Sequence, residues 1–158
     1  MLRRESGFTF IELAVTLAIM GVLAAVAVPM IELVSQRHKE RELRTALSQI
    51  REAIDAYRRA TDQGRIPVKI GDSGYPKSLN DLVDGVADAK SPQRQKMYFL
   101  RRLPRDPMHP DPTVAAADTW GKRSYASPPD APQEGEDVFD VYSLANGKGI
   151  NGIPYREW

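Results

Sequence analysis

The sequence predicts an α+β fold: a long N-terminal helix, transmembrane in its first half and soluble in its second, packed on a small C-terminal antiparallel sheet. Three observations carry that prediction. Residues 8–31 form an apolar run of 24 residues with one charge, Glu12. Beyond Ser35 the apolar residues recur at helical spacing. The C-terminal part is interrupted by Pro and Gly and contains two short strand-like runs, 120–126 and 137–143.

The totals narrow the function classes. With 158 residues the chain suits one domain plus an extra element. A formal net charge of +1 lacks the basic excess of a dedicated nucleic-acid binder. The absence of Cys removes disulfides, thiol nucleophiles and thiolate metal sites.

The first element is the apolar run. As a helix it would reach about 36 Å, enough to cross a hydrocarbon core of about 30 Å. A secretory signal peptide has a shorter apolar region, about 7–15 residues, and a small-x-small cleavage site, which Ala25-Val26-Ala27 mimics. A plain membrane anchor fits the length but leaves Glu12 unexplained. A carboxylate in an apolar span costs roughly 2.5–3.5 kcal/mol on insertion scales. Either Glu12 reaches water near the interface, or it meets a cation at the same depth. A cut after Gly7 would create that cation, the ammonium of Phe8, and neighbouring chains could then pair Glu12 with Phe8. Pro29 lacks an N–H and clashes with the carbonyl of Ala25, so the helix should bend or loosen there, at a cost of about 3 kcal/mol.

The second element continues the first. Leu43, Leu47, Ile50, Ile54 and Tyr57 alternate steps of four and three, which makes one apolar stripe. Arg51, Asp55 and Arg59 stand at i, i+4 steps that support a helix. Gly64 is the expected stop, with Pro67 beyond it. The helix should therefore run from about Phe8 to Thr61, about 80 Å at full length. His38, in the charged run after the apolar segment, reads as solvated. That run's basic surplus conflicts with the positive-inside rule, since Arg3 and Arg4 mark the other side.

In the C-terminal part, residues 75–83 read as a turn and a short helix capped by Ser78, with Asp81 in its first turn. Residues 84–96 read as loop, and 104–135, rich in Pro, Asp and Ala, as irregular. The runs 120–126 and 137–143 are the expected strands. The aromatic residues of 151–158 are expected to pin the tail. Asp106, His109 and Asp111 could bind a metal or be a solvated loop. Arg101, Arg102 and Arg105 form a basic cluster, either solvated or facing an acidic patch on another subunit.

The segment Gly7-Phe8-Thr9-Phe10-Ile11-Glu12-Leu13, with Gly21-Val22-Leu23-Ala24-Ala25 and Pro29, resembles the type IV pilin and pseudopilin signature. The resemblance implies a prepilin peptidase that cuts between Gly7 and Phe8 and methylates the new Phe8 terminus. It assigns Glu12 to subunit pairing and lets the helix around Pro29 melt on entry into a filament. It divides the chain into a prepilin leader at 1–7, a transmembrane helix half at 8–31, an amphipathic soluble half at 32–62 and a globular domain at 63–158. The fold it implies is pilin-like. It places the N-terminus in the cytoplasm, one span in the bacterial inner membrane and the globular domain in the periplasm.

The later motifs Leu103-Pro104, Asp106-Pro107, Trp120-Gly121, Tyr125, Ser127-Pro128, Gly135 and 139–143 resemble the major pseudopilin of type II secretion systems. That likeness implies a structural subunit and no enzyme: a homo-oligomeric pseudopilus whose growth drives proteins across the outer membrane. Its implied partners are minor pseudopilins, the prepilin peptidase and the inner-membrane assembly platform, with no nucleic acid. Two departures stand out. Residues 108–119 separate motifs that the family joins closely. The acidic calcium-binding loop of the family here reads Leu144-Ala145-Asn146-Gly147-Lys148-Gly149, so calcium would depend on Asp137, Asp140, Asn146 and backbone carbonyls. Otherwise no cofactor is implied. The alternatives are a type IV pilin for adhesion, motility or DNA uptake, from which the lack of Cys leans away, and a membrane-tethered periplasmic enzyme or binding module. For the last, the sequence offers no nucleophile–base pair.

Overall fold

The computed structural model describes residues 9–158, and of residues 26–29 the helical backbone alone. The first element, α1, is Phe10–Asp62. It begins at Thr9, whose carbonyl accepts the Leu13 N–H at 3.1 Å. It ends in a Schellman arrangement. Gly64 sits at φ +69° in the left-handed region, its N–H bonds to the Thr61 carbonyl, and the Arg65 N–H reaches the Ala60 carbonyl. Glycine meets that φ without the strain a Cβ would bring. The stop expected at Gly64 is therefore where the helix closes. Pro29 does not end α1, which continues through it.

The chain falls into two compact units, Met1–His38 and Lys39–Trp158. In the first, the described apolar side chains of α1 are exposed, Phe10 at 88% and Val22 at 67%. Among the described residues one helix, α1, is long and apolar enough to cross a membrane.

The second unit holds the core. Leu43, Leu47, Ile50, Ile54 and Tyr57, the stripe expected from spacing, are all buried, joined by Ala46, Ala53 and Ala60. Ile66, Leu79, Leu82, Trp120, Val138, Val141 and Tyr155 complete the cluster. Trp120 satisfies its indole N–H on the Pro104 carbonyl at 2.9 Å, which allows so large a ring to be fully enclosed.

Strands are short and form two separate antiparallel ladders where one sheet was expected. Val86–Ala87 (β1) pairs with Lys96–Met97 (β2), and all of these but Met97 lie in the stretch 84–96 that reads as loop. Two-residue strands carry too little alternation to be legible. Trp120–Arg123 (β3) pairs with Asp140–Ser143 (β4), in the register Trp120↔Ser143 to Arg123↔Asp140. Both lie inside the runs expected to be strands and are shorter than them.

The short helix α2 is Asp81–Asp84, and its expected cap is reversed. No side chain caps it. Instead the Asp81 carboxylate accepts the N–H groups of Lys77 and Ser78, both at 3.0 Å, and so fixes the turn before the helix.

Candidate assembly site

Glu12 is built into the start of α1. The Glu12 N–H donates to Thr9 Oγ1 at 3.3 Å, and Glu12 Oε2 accepts from the Thr9 N–H at 3.4 Å. Thr9 Oγ1 is also 3.4 Å from Oε2. This is a reciprocal capping box, in which two otherwise orphaned N–H groups of the first turn find acceptors. Negative charge is also favoured at a helix N-terminus. The reading of Glu12 as either water-facing or cation-paired missed this third partner, although Thr9-Phe10-Ile11-Glu12 carries the spacing of the motif.

Gly7 and Phe8, the expected cleavage and methylation sites, lie outside the described residues. Pro29 falls within the helical backbone, with Glu12 in the same unit. The side chains between them that are described present an apolar surface with no core of their own.

The charged residues of the second unit are largely committed to holding it together. Asp106 is 2% exposed; Oδ2 accepts the Ser143 hydroxyl at 2.5 Å and Oδ1 the Met108 N–H at 2.8 Å. Asp111 instead folds its own turn, accepting from the N–H and hydroxyl of Thr113 at 2.8 and 2.7 Å. Those bonds hold its carboxyl below the ordinary aspartate range. Asp106, His109 and Asp111 are thus neighbours in sequence with different duties, and His109 is half-buried. Among the described residues no group of three or more His, Asp or Glu could hold a metal ion.

The basic cluster is split in the same way. Arg101 and Arg102 are exposed, whereas Arg105 donates to the carbonyls of Val114 and Asp111. Arg51, expected to pair along its own helix, reaches across to Asp140 Oδ1 at 2.8 Å.

The carboxylates on which calcium would depend are also engaged. Asp140 holds Arg51 and, at 3.4 Å, Arg123. Asp137 accepts the Ser124 hydroxyl at 2.7 Å and the Tyr125 N–H at 2.9 Å. Burial pushes the Asp137 carboxyl upward, but hydrogen bonds from Ser73, Ser124 and Tyr125 outweigh it and leave it below the usual value. Asp137 also lines a hollow of about 480 Å³ with Tyr75, Lys77 and Tyr125. Calcium takes six to eight oxygens; of the side chains expected to supply them, Asp140 already faces two guanidiniums, Asp137 already accepts two hydrogen bonds, and Asn146 is exposed.

Residues 2–28 match the family described as "Prokaryotic N-terminal methylation motif". Along most of its length the chain is similar to curated proteins named "Type II secretion system core protein G". That of Dickeya chrysanthemi is 26% identical over 157 residues, 96% of this chain and 95% of the relative. That of Pseudomonas aeruginosa is 29% identical over 153 residues, 92% and 87% of the two chains. That of Vibrio cholerae is 25% identical over 147 residues, 90% and 82%. No solved structure matches the chain.

Proposed function

We infer that this chain, which carries the prokaryotic N-terminal methylation motif and resembles type II secretion core protein G over most of its length, is a structural subunit of a type II secretion pseudopilus. The observation that carries the reading is the division of α1. The part in the first unit exposes its described apolar side chains and has one acid at its start, while the stripe beyond is buried in a packed globular unit. A membrane takes up such an exposed surface before assembly, and neighbouring helices take it up afterwards.

In this reading a prepilin peptidase cuts between Gly7 and Phe8 and methylates Phe8. The chain spans the inner membrane once, with the globular unit in the periplasm. Glu12 then has two partners in turn. Before assembly it is held by the Thr9 cap; in the filament it meets the Phe8 ammonium of a neighbour, which neutralises both charges and fixes their stagger. The helix around Pro29, already short of one hydrogen bond, loosens on entry. Minor pseudopilins and the inner-membrane assembly platform are the remaining partners. The work is done by assembly, and growth of the filament drives exported proteins across the outer membrane.

The test is the intact mass of the membrane-extracted chain from cells with and without prepilin peptidase. The expected result is peptidase-dependent loss of residues 1–7 and a methyl group on Phe8. An unprocessed terminus, or a cut near Ala27, would overturn the reading.

A further inference from the structure

The tail, residues 144–158, is fastened to α1 by charged side chains. Glu40, only 7% exposed, turns Oε1 to both the Ile150 N–H at 2.9 Å and the Tyr155 hydroxyl at 3.0 Å. Arg51 donates to the Trp158 carbonyl at 2.7 Å and the Val141 carbonyl at 3.1 Å, besides its pair with Asp140. Arg44, seven residues earlier on the same helix edge, lies 4.4 Å from the centre of the Trp158 ring. That ring meets Tyr155 edge-on at 5.1 Å. Between these anchors the segment closes on itself, through a Lys148–Pro154 bridge and a 2.9 Å bond from the Gly149 N–H to the Ile153 carbonyl.

The Glu40 and Arg51 anchors are hydrogen bonds made by charged side chains, roughly twice as strong as neutral ones, and Arg44 adds a cation–π contact. Of the side chains expected to hold calcium, Asp140 already carries two guanidiniums, Asp137 is already bonded to Ser124 and Tyr125, and Asn146 is exposed.

We propose that Glu40, Arg44 and Arg51 of α1 lock the C-terminal segment by side-chain contacts in place of a divalent cation, so that the fold of this domain does not respond to calcium. The proposal stands on the second unit alone and is independent of the pseudopilus reading. Two measurements on the intact chain in detergent micelles test it. The first is thermal unfolding in calcium chloride and in a chelator; the midpoints should coincide. A midpoint raised by calcium would overturn the proposal, and it needs no variant. The second is amide hydrogen exchange. In Glu40→Leu, exchange at Ile150 should quicken about tenfold or more, and less in Glu40→Gln, which keeps a carbonyl acceptor, while amides around Ile50 hold their rates. Unchanged exchange at Ile150 in a folded Glu40→Leu chain would also overturn it.

Discussion

Glu12 and Asp106 are acids in places where an acid is costly, and the chain treats them differently. Glu12 is borrowed by the first turn of its own helix and remains exposed, so it can change partner. Glu12→Gln should leave the chain in the membrane fraction, since removing a charge from an apolar span eases insertion. Under the proposed pairing with a neighbour's Phe8 ammonium, which an amide would not neutralise, it should sharply lower the filament fraction sheared from cells. Asp106 is permanently committed. Asp106→Ala would strand the Ser143 hydroxyl and the Met108 N–H, at about 1–3 kcal/mol for each group left unsatisfied, and Asp106→Asn should cost less. Urea unfolding of the two variants would show the order. The carboxyls of Asp88, Asp111 and Asp137 are all held below the ordinary value, so stability should fall in acid. Arg65 holds the Asp88 carboxyl below the ordinary value, by hydrogen bonding before charge, and Asp137 is lowered as well. A carboxyl depressed in the folded state contributes stability above the unfolded value, about 4, and loses it as pH falls through the folded one. Asp137→Asn should therefore lower stability at neutral pH and flatten its fall below about pH 4, as followed by the fluorescence of Trp120 and Trp158.

Along α1, one face is decided by spacing and its edge by charge. Ile50 is wholly buried in the stripe, so Ile50→Ala should cost about 2–5 kcal/mol in the transfer of the side chain and the cavity left behind. The edge holds a row that heptad spacing puts in line: Arg44 over Trp158, Arg51 on Asp140, and Arg58 on the Ser73 carbonyl and Asp62. Two glycines separate backbone from packing effects. At Gly64 the left-handed φ is the only obstacle, because a Cβ there would meet nothing nearer than Lys90 Cε at 3.8 Å. Gly64→Ala should cost about 1 kcal/mol. At Gly121, in β3, the backbone is ordinary, but a Cβ would stand 2.3 Å from the Tyr142 ring across the ladder. Gly121→Ala should cost more than Gly64→Ala in thermal unfolding, since it must move an aromatic ring.

For the whole molecule, the chain divides at His38 into a first unit whose described apolar side chains are exposed and a second that holds the core. A chain lacking residues 1–35 should still unfold cooperatively, with the core around Leu43, Ile50 and Trp120 intact, yet enter no filament. Circular dichroism during heating and co-assembly with the full chain would check the two halves of that expectation. Loss of cooperative unfolding would mean that the first unit is needed for the second to fold.

What the sequence determined by itself is what repeats along the chain or acts within a few residues. The apolar run, the stripe from Leu43 to Tyr57 and the stop at Gly64 were legible because helical period and a left-handed glycine are local properties. The runs around β3 and β4 were legible for the same reason, by alternation. The tertiary structure alone decided where charges go. Glu40 stands three residues before Leu43, one step further along the buried stripe, yet it lies in a run of charges and no role was legible for it in the sequence. Arg51 had a partner four residues away and took one 89 residues away instead. Ser78 had the chemistry of a cap, and Asp81 took that role in reverse. For Arg51 the local rival is weak, since ion pairs on a helix surface are worth only a few tenths of a kcal/mol. Burial against the tail or the ladder tips the balance, because a charge withdrawn from water must find its partner among the groups that the fold brings to it.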